Sequence, residues 1–328
     1  MTLDDRPERL LLQRSDDEPR LALGARLIAR VASLEPAIGT AFLDLGDGLE
    51  AILPFKPDSK PVRGSALEVE IRSEPRVGKL AVAKPLGEAR GGPRLLQAAP
   101  DVAAILRHLV RDAGLVEGRE ARAVADEAEA EVLEIVHPLP GGGSLAIEPT
   151  RALTAVDVDL GERKGQDAKR VTRQTNLTAL HETARLLRLK GLGGLVVIDL
   201  AGRGHDGAAL LAAARLAFGS DNPGVAIGPV GRFGTMEISI PRRTRPVREA
   251  LLRADGALTE RSLAQQLIRR IEDEAAAQPG ARIVARAAPA VVAAAEPLAR
   301  LLAERIGARF SVTSEAGRAR GDLDVGPA

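Results

Sequence analysis

A change of hydrophobic period near a glycine run constrains this chain more than any single residue. Between Ala25 and Ala83 the apolar residues fall into short segments: Ala25–Val31, Gly39–Leu45, Leu49–Leu53, Ala66–Ile71 and Leu80–Ala83. Turn residues separate them, including Glu35-Pro36 and Gly46-Asp47-Gly48, and Leu67-Glu-Val-Glu-Ile71 alternates strictly. Evenly spaced short strands with a period of two predict a small closed barrel of the oligonucleotide-binding type. After Gly141-Gly-Gly-Ser144 the pattern alternates between strands and helices, which predicts an α/β module.

Gly87–Gly92, beside Pro85 and Pro93, reads as a linker. A helix is predicted over Asp101–Ala113, capped by Asp101, because Val102, Ile105, Leu106 and Leu109 share one face. A strand-like piece, Ala121–Val124, precedes an acidic helix over Asp126–Val136. In the α/β part, strands are predicted over Ser144–Glu148 and Ala152–Asp159, then a basic loop over Glu162–Arg173. A helix over Asn176–Leu189 ends in the glycine stop Gly191–Gly194. The apolar run Leu195-Val-Val-Ile-Asp199 reads as a buried strand ending in a carboxylate. A helix over Asp206–Ala217, strands near Val225–Ile227 and Met236–Ile240, and the basic exit Arg242–Arg245 follow. The last module has helices over Leu258–Ala277 and Pro289–Ile306 and strands over Ala281–Ala285 and Arg309–Val312. Residues 1–20 are polar and expected to be poorly ordered at their start, and the tail after Ser314 is expected to fray.

Composition excludes several chemistries. The 328 residues include no cysteine, so disulfides, thiolate zinc sites and cysteine nucleophiles are out. His108, His137, His181 and His205 are scattered and form no metal-ligand spacing. A metal, if used, is then a hard cation held by carboxylates. No run reaches the roughly 20 apolar residues of a membrane span. Met1–Arg20 lacks the apolar core of a signal peptide, which predicts a cytoplasmic protein. A net charge of +1 rules out a polycation, so nucleic-acid affinity would come from local patches. With five Phe and no Trp or Tyr, each exposed Phe is a candidate for base stacking, set against the ordinary reading of Phe as core.

The candidate chemistry lies in two carboxylate positions. Asp157 and Asp159 are two apart and project from one face of an extended strand, and Asp199 ends another apolar strand. If those strands are parallel neighbours, the acids converge beyond their carboxyl ends, where α/β sheets commonly carry sites. Close carboxylates repel unless a divalent cation compensates them, and magnesium takes one or two such ligands while keeping places for water and phosphate. The alternative is that the acids cap strands or pair with nearby arginines. Basic residues surround the segment: Arg163, Lys164, Lys169, Arg170 and Arg173, then Arg185, Arg188 and Lys190, then Arg232, Arg242, Arg243 and Arg245. They are candidates for phosphate contacts, although cations late in a helix also suit its dipole.

Three collinear segments resemble the ribonuclease E/G family: Gly142–Asp159, Thr175–Leu177 with Ala184–Asp199, and Gly231–Ser239. Fainter likeness extends to Ile28–Pro36, Ala41–Gly46 and Ile52–Pro54, which resemble that family's RNA-binding barrel, and to Leu263–Glu274. The resemblance implies α/β plus all-β architecture. Its expected parts are a polar segment (1–20), an oligonucleotide-binding barrel (21–86), a reduced ribonuclease-H-like segment (87–140), a catalytic module (141–250) and a small α/β C-terminal domain (251–328). It implies magnesium held by Asp157 and Asp199, with Asp159 in place of a family asparagine assisting. Phe42 matches one family barrel aromatic, and Ile52 occupies the position of the other. The family's paired-cysteine zinc link is absent, so no zinc-linked dimer is expected, and the space for a 5′-end sensor is too short.

The expected function is magnesium-dependent endoribonuclease action on single-stranded RNA, in processing or decay, with no membrane partner. Phe42 would stack a base, and Arg185, Arg188, Lys190 and Arg232 would hold phosphates. The alternative is a catalytically weakened paralogue that binds RNA without cleaving it. A third reading is a scaffold whose Ala-rich C-terminal module docks partners.

Overall fold

The computed structural model describes residues 1–110, 114–162, 167–219 and 223–328. The chain divides into two compact units, Met1–Val247 and Arg248–Ala328. Among the described residues no helix is long and apolar enough to cross a membrane.

The first unit opens on a hairpin of β1 (Thr2–Leu3) and β2 (Arg6–Pro7). Contrary to the expectation of a loose polar start, Arg6, Pro7 and Glu8 are tied to a later helix by ion pairs and hydrogen bonds. The barrel follows: β3 (Arg26–Glu35), β4 (Thr40–Asp44), β5 (Glu50–Pro54), β6 (Ala66–Ser73) and β7 (Ala81–Glu88). The pairings β3–β4, β4–β5, β5–β7, β7–β6 and β6–β3 close the ring, with β5–β7 as its parallel seam. Alternation does the folding here: Ala41, Leu43, Ala51, Leu53, Val69 and Ile71 fill the interior while their neighbours face out. The expected Gly87–Gly92 linker is shorter than read, because β7 runs to Glu88 and β8 (Arg94–Gln97) pairs back onto β3.

Next comes α1 (Val102–Leu109), with the Asp101 carboxylate accepting from the Ala104 N–H as its cap. Ala113, the expected end of that helix, lies outside the described residues. The strand-like Ala121–Val124 is in fact helical, inside α2 (Gly118–Leu133). Its alanines, glutamates and arginines favour helix, and four residues of strand propensity cannot override them. Among its described residues the segment 87–140 builds no sheet of its own: β9 (Val136–Pro138) is the edge strand of the main sheet.

That six-stranded sheet has the order β13-β14-β12-β11-β10-β9. It comprises β10 (Ser144–Pro149), β11 (Thr154–Asp159), β12 (Gly194–Asp199), β13 (Ala226–Val230) and β14 (Thr235–Ile240) together with β9. Between its strands run α3 (Ala168–Lys190) and α4 (Gly207–Gly219). Leu145, Ile147, Val156, Val158, Val196, Ile198, Met236 and Ile238 are all buried and form one face. The opposite face carries Asp157, Asp199 and Glu237, all exposed. The basic stretch expected as loop to Arg173 is partly helix, since Asp167 caps α3 by accepting from the Lys169 and Arg170 N–H groups. Arg163 and Lys164 lie outside the described residues. Gly191 ends α3 in the left-handed conformation, φ 66°, with its N–H bonded to Arg188 and Leu187 carbonyls.

A short α5 (Val247–Leu251) begins at the unit boundary. The second unit contains α6 (Glu260–Ala277), β15 (Ile283–Ala287), α7 (Pro289–Ile306), β16 (Phe310–Ser314) and β17 (Asp324–Pro327). Leu267, Ile271, Ile283, Ala285, Val291 and Leu302 are among its core residues. The tail does not fray as expected: β17 pairs antiparallel with β15, Ile283 opposite Pro327. Polar composition hid a strand that follows directly on Leu323, itself buried in this core.

Candidate active site

β11 and β12 are parallel neighbours, and Asp157 stands directly opposite Asp199. Paired residues on adjacent strands share a face, with backbones about 4.8 Å apart. The row continues across the sheet as Ala146, Asp157, Asp199 and Thr235. Both carboxylates are exposed at the carboxyl ends of their strands. Among the described residues neither has an ion-pair or side-chain hydrogen-bond partner, so the alternative of pairing with a nearby arginine has no support there. No group of three or more His, Cys, Asp or Glu comes together to hold a metal among the described residues. Asp159 therefore does not complete a trio: it lies two residues past the end of the β11–β12 ladder, and its Oδ1 accepts from the Gly161 N–H at 2.8 Å. That bond turns the chain out of β11. An asparagine Oδ1 can accept it equally well, so this role does not depend on which of the two residues is present.

The turn after Asp199 is held from α3. The Asn176 amide is buried and bonds both sides of Ala201: its Nδ2 donates to the Ala201 carbonyl and its Oδ1 accepts from the Ala201 N–H, both at 3.0 Å. Gly202 has φ +80°, and a Cβ there would lie 2.8 Å from Thr172 Cγ2, so the turn passes too close to α3 for a side chain. Next to Ser144, the residue opposite Asp159, Gly143 has φ +83° and no room for a Cβ, which would run into the Asp159 carbonyl oxygen.

The basic residues divide by position along α3. This helix leaves β11 at the carboxylate edge and returns to enter β12, so its amino end, with exposed Lys169 and Arg170, lies at that edge. Arg185, Arg188 and Lys190 follow Asn176 by 9, 12 and 14 positions, roughly 14, 18 and 21 Å further along at ~1.5 Å per residue. They are turned toward other parts of the chain. Arg185 is buried between Glu131 and Glu182 and donates to the Pro7 carbonyl. Arg188 pairs with the buried Glu8 and donates to the Ala217 carbonyl. Lys190 is buried and donates to the carbonyls of Glu131, Val132 and Glu134, which caps the carboxyl end of α2. These three corrections share one cause: a cation on a helix reads the same in sequence whether its face meets solvent or another element's carboxylates. Burial alone raises the Glu182 pKa, but Arg6 and Arg185 outweigh it and hold the carboxyl below its usual value. Burial alone likewise lowers the Arg185 pKa, and Glu131 and Glu182 reverse that. Arg242 and Arg243 follow β14 at the opposite edge and donate to the Gly193 and Pro223 carbonyls.

Arg232 differs. It is exposed on the β13–β14 turn, at the carboxylate edge, with its guanidinium 4.5 Å from the Phe233 ring centroid. Phe42 is half-buried on the outside of the barrel, in a row with Ser33, Ile52 and Val82. Ile52 is thus the cross-strand neighbour of Phe42, and the two form one apolar strip. Asn176 and Phe233 were missed as individual residues, although both lie in segments that carried the resemblance. A phenylalanine flanked by arginine and glycine between two strands was a signal for the second.

A closed barrel joined in one unit to an α/β sheet with exposed paired carboxylates defines the class of this protein. Residues 98–243 match the Ribonuclease E/G family. Ribonuclease E of Escherichia coli (strain K12) is 37% identical over 147 residues, 42% of this chain and 14% of that protein. A putative ribonuclease E of Buchnera aphidicola subsp. Baizongia pistaciae is 36% identical over 112 residues, 33% of this chain and 27% of that protein. A chloroplastic ribonuclease E/G-like protein of Arabidopsis thaliana is 33% identical over 114 residues, 33% of this chain and 11% of that protein. This chain therefore covers well under two thirds of these relatives' lengths.

Proposed function

We propose that the chain is a magnesium-dependent endoribonuclease that cuts single-stranded RNA, acting in cytoplasmic RNA processing or decay. The observation that carries this reading is Asp157 opposite Asp199, exposed at the carboxyl ends of parallel strands and without a cation partner among the described residues. Two such carboxylates suit magnesium, a hard ion that takes one or two protein ligands and fills its remaining positions with water and phosphate oxygens. Magnesium bound there would offset the charge of the phosphodiester and make water a better nucleophile at neutral pH. The chain's own groups hold and orient. Asp157 and Asp199 supply the ligand oxygens. The Asn176 amide fixes the turn two residues beyond Asp199. Arg232 contributes positive charge at the same edge, and Phe42 offers a stacking face on the barrel. Net hydrolysis places the hydroxyl of water on phosphorus and its proton on the departing sugar oxygen.

The test is incubation of the full chain with an end-labelled AU-rich single-stranded RNA, in magnesium or in EDTA, beside Asp157→Asn and Asp199→Asn. Internal cleavage that requires magnesium and disappears in both variants is the expected result. Binding without cleavage, equal in wild type and variants, would overturn the nuclease reading and leave an RNA-binding paralogue.

A further inference from the structure

Phe233, on the turn before Thr235, leaves 77% of its free surface exposed. Exposing a ring forgoes its contribution to a core, in a chain that has five Phe and no Trp or Tyr. The turn that carries it is rigid. The Gly231 N–H donates to the Thr235 carbonyl at 2.8 Å, and the Gly234 N–H donates to the Gly231 carbonyl at 3.0 Å. The Gly234 carbonyl accepts from the N–H of Leu200, the residue after Asp199, at 3.2 Å. Gly234 has φ +87°, and a Cβ there would lie 3.2 Å from His205 Nε2, so the turn is seated against the loop that follows Asp199. Thr235 is directly opposite Asp199, which puts the Phe233 backbone roughly 8 Å from that of Asp199 at ordinary strand spacings. The Arg232 guanidinium, 4.5 Å from the ring centroid, holds the ring and adds a cation beside it.

An exposed aromatic beside an arginine that has no carboxylate partner among the described residues, next to acids suited to a metal, is the pairing that single-stranded nucleic acid recognises: a flat face for a base and a cation for the adjoining phosphate. We infer that Arg232 and Phe233 form a nucleobase-stacking platform that seats the nucleotide flanking the phosphate at Asp157 and Asp199. The platform rests on the nuclease reading for its place in a reaction, but its binding can be measured without cleavage. It lies on the sheet edge, apart from the barrel strip of Phe42 and Ile52, so the two would grip one strand at separate points.

The absence of Trp and Tyr makes the test direct, because Phe233→Trp installs the only strong fluorophore in the chain. The full chain carrying Phe233→Trp is titrated in EDTA with a fluorescein-labelled single-stranded RNA followed by anisotropy, and with the unlabelled RNA followed by indole emission. Stacking predicts that the indole is quenched along the same isotherm as the anisotropy. It also predicts that Phe233→Leu weakens binding about tenfold while Phe233→Trp does not. Circular dichroism unchanged from wild type shows that the exposed substitutions leave the fold intact. RNA bound with the indole silent, or Phe233→Leu binding as wild type does, would overturn the platform and leave the ring as a contact for a protein or a second copy. Loss of all RNA binding in wild type would overturn it as well. Quenching in EDTA from a chain that never cuts RNA would support the platform while the nuclease reading falls. Cleavage with a silent indole would do the reverse.

Discussion

Replacing Asn176 with alanine should loosen the active edge without disturbing the rest of the sheet. The amide makes two hydrogen bonds to the backbone of Ala201, each 3.0 Å long. Asn176 and Ala201 are both buried, so water does not replace the lost partner. Leaving a buried donor or acceptor unpaired costs about 1–3 kcal/mol each. Two such groups, with some relaxation of the turn, give a loss of roughly 3 kcal/mol. The same disturbance reaches Asp199, which is two residues away on the chain. Misplacing a reacting group by an ångström costs on the order of a hundredfold in rate, so cleavage should fall in kcat more than in KM. Urea unfolding followed by far-ultraviolet circular dichroism measures the first effect. Hydrogen exchange at the Ala201 amide measures it locally, with protection falling by about a hundredfold for ~3 kcal/mol. Asn176→Asp is a sharper probe, because it keeps an acceptor for the Ala201 N–H but sets a carboxylate oxygen against the Ala201 carbonyl. It should resemble the alanine variant in rate. A loss below about 0.5 kcal/mol with unchanged exchange at Ala201 would refute the clamp, since unpaired buried groups cannot be that cheap.

Two further outcomes follow from the buried charges. Lys190→Met removes the donor to three carbonyls and should destabilise the chain by about 2–4 kcal/mol. It should leave the salt dependence of RNA binding unchanged. A fall of about 0.7 in the slope of log affinity against log salt would instead place Lys190 on a phosphate. His137 is buried, and its Nε2 has no hydrogen-bond partner among the described residues. Burial first, then the Lys190 charge, lowers its pKa below 6.5. The unfolded chain therefore takes up a proton first as pH falls, and stability present above pH 6.5 is lost on the way down toward the folded value. Urea midpoints of wild type should drop between pH 7 and pH 5, and those of His137→Leu should hold flatter. Parallel curves would remove His137 as the cause. Glu182, whose carboxyl is depressed by its arginines, adds a second loss only below about pH 4.5.

The periodicities of the chain were legible because they are local. A period of two with turn residues at its breaks requires paired strands, and the inward residues of the barrel from Ala25 to Ala83 are the alternating ones. Leu195–Asp199 is the strand that was expected, but only Val196 and Ile198 are buried while Leu195 and Asp199 are exposed on the other face, and Gly191 is the expected stop. Expectations failed where composition outweighed pattern: four residues inside α2 read as strand, and the polar tail hid β17. The acids Asp157 and Asp199 were readable as strand-end carboxylates, yet the sequence carried no statement that they stand opposite each other. That register depends on 23 residues of α3 spanning the crossover between two parallel strands.

The sequence by itself determined most of the segments and their order, the likeness of residues 98–243 to the Ribonuclease E/G family and the types of donor at the carboxylate edge. Tertiary structure alone decided which cations face outward. Arg185, Arg188 and Lys190 carry the same charge as Arg232, but the first three meet Glu131, Glu182, Glu8 and the end of α2, while among the described residues Arg232 meets an exposed ring. A charge has no address until the fold places its partners. Apart from Glu182, one turn before Arg185 on α3, those partners come from segments more than 50 positions away, so no local pattern could have told buried cation from exposed one.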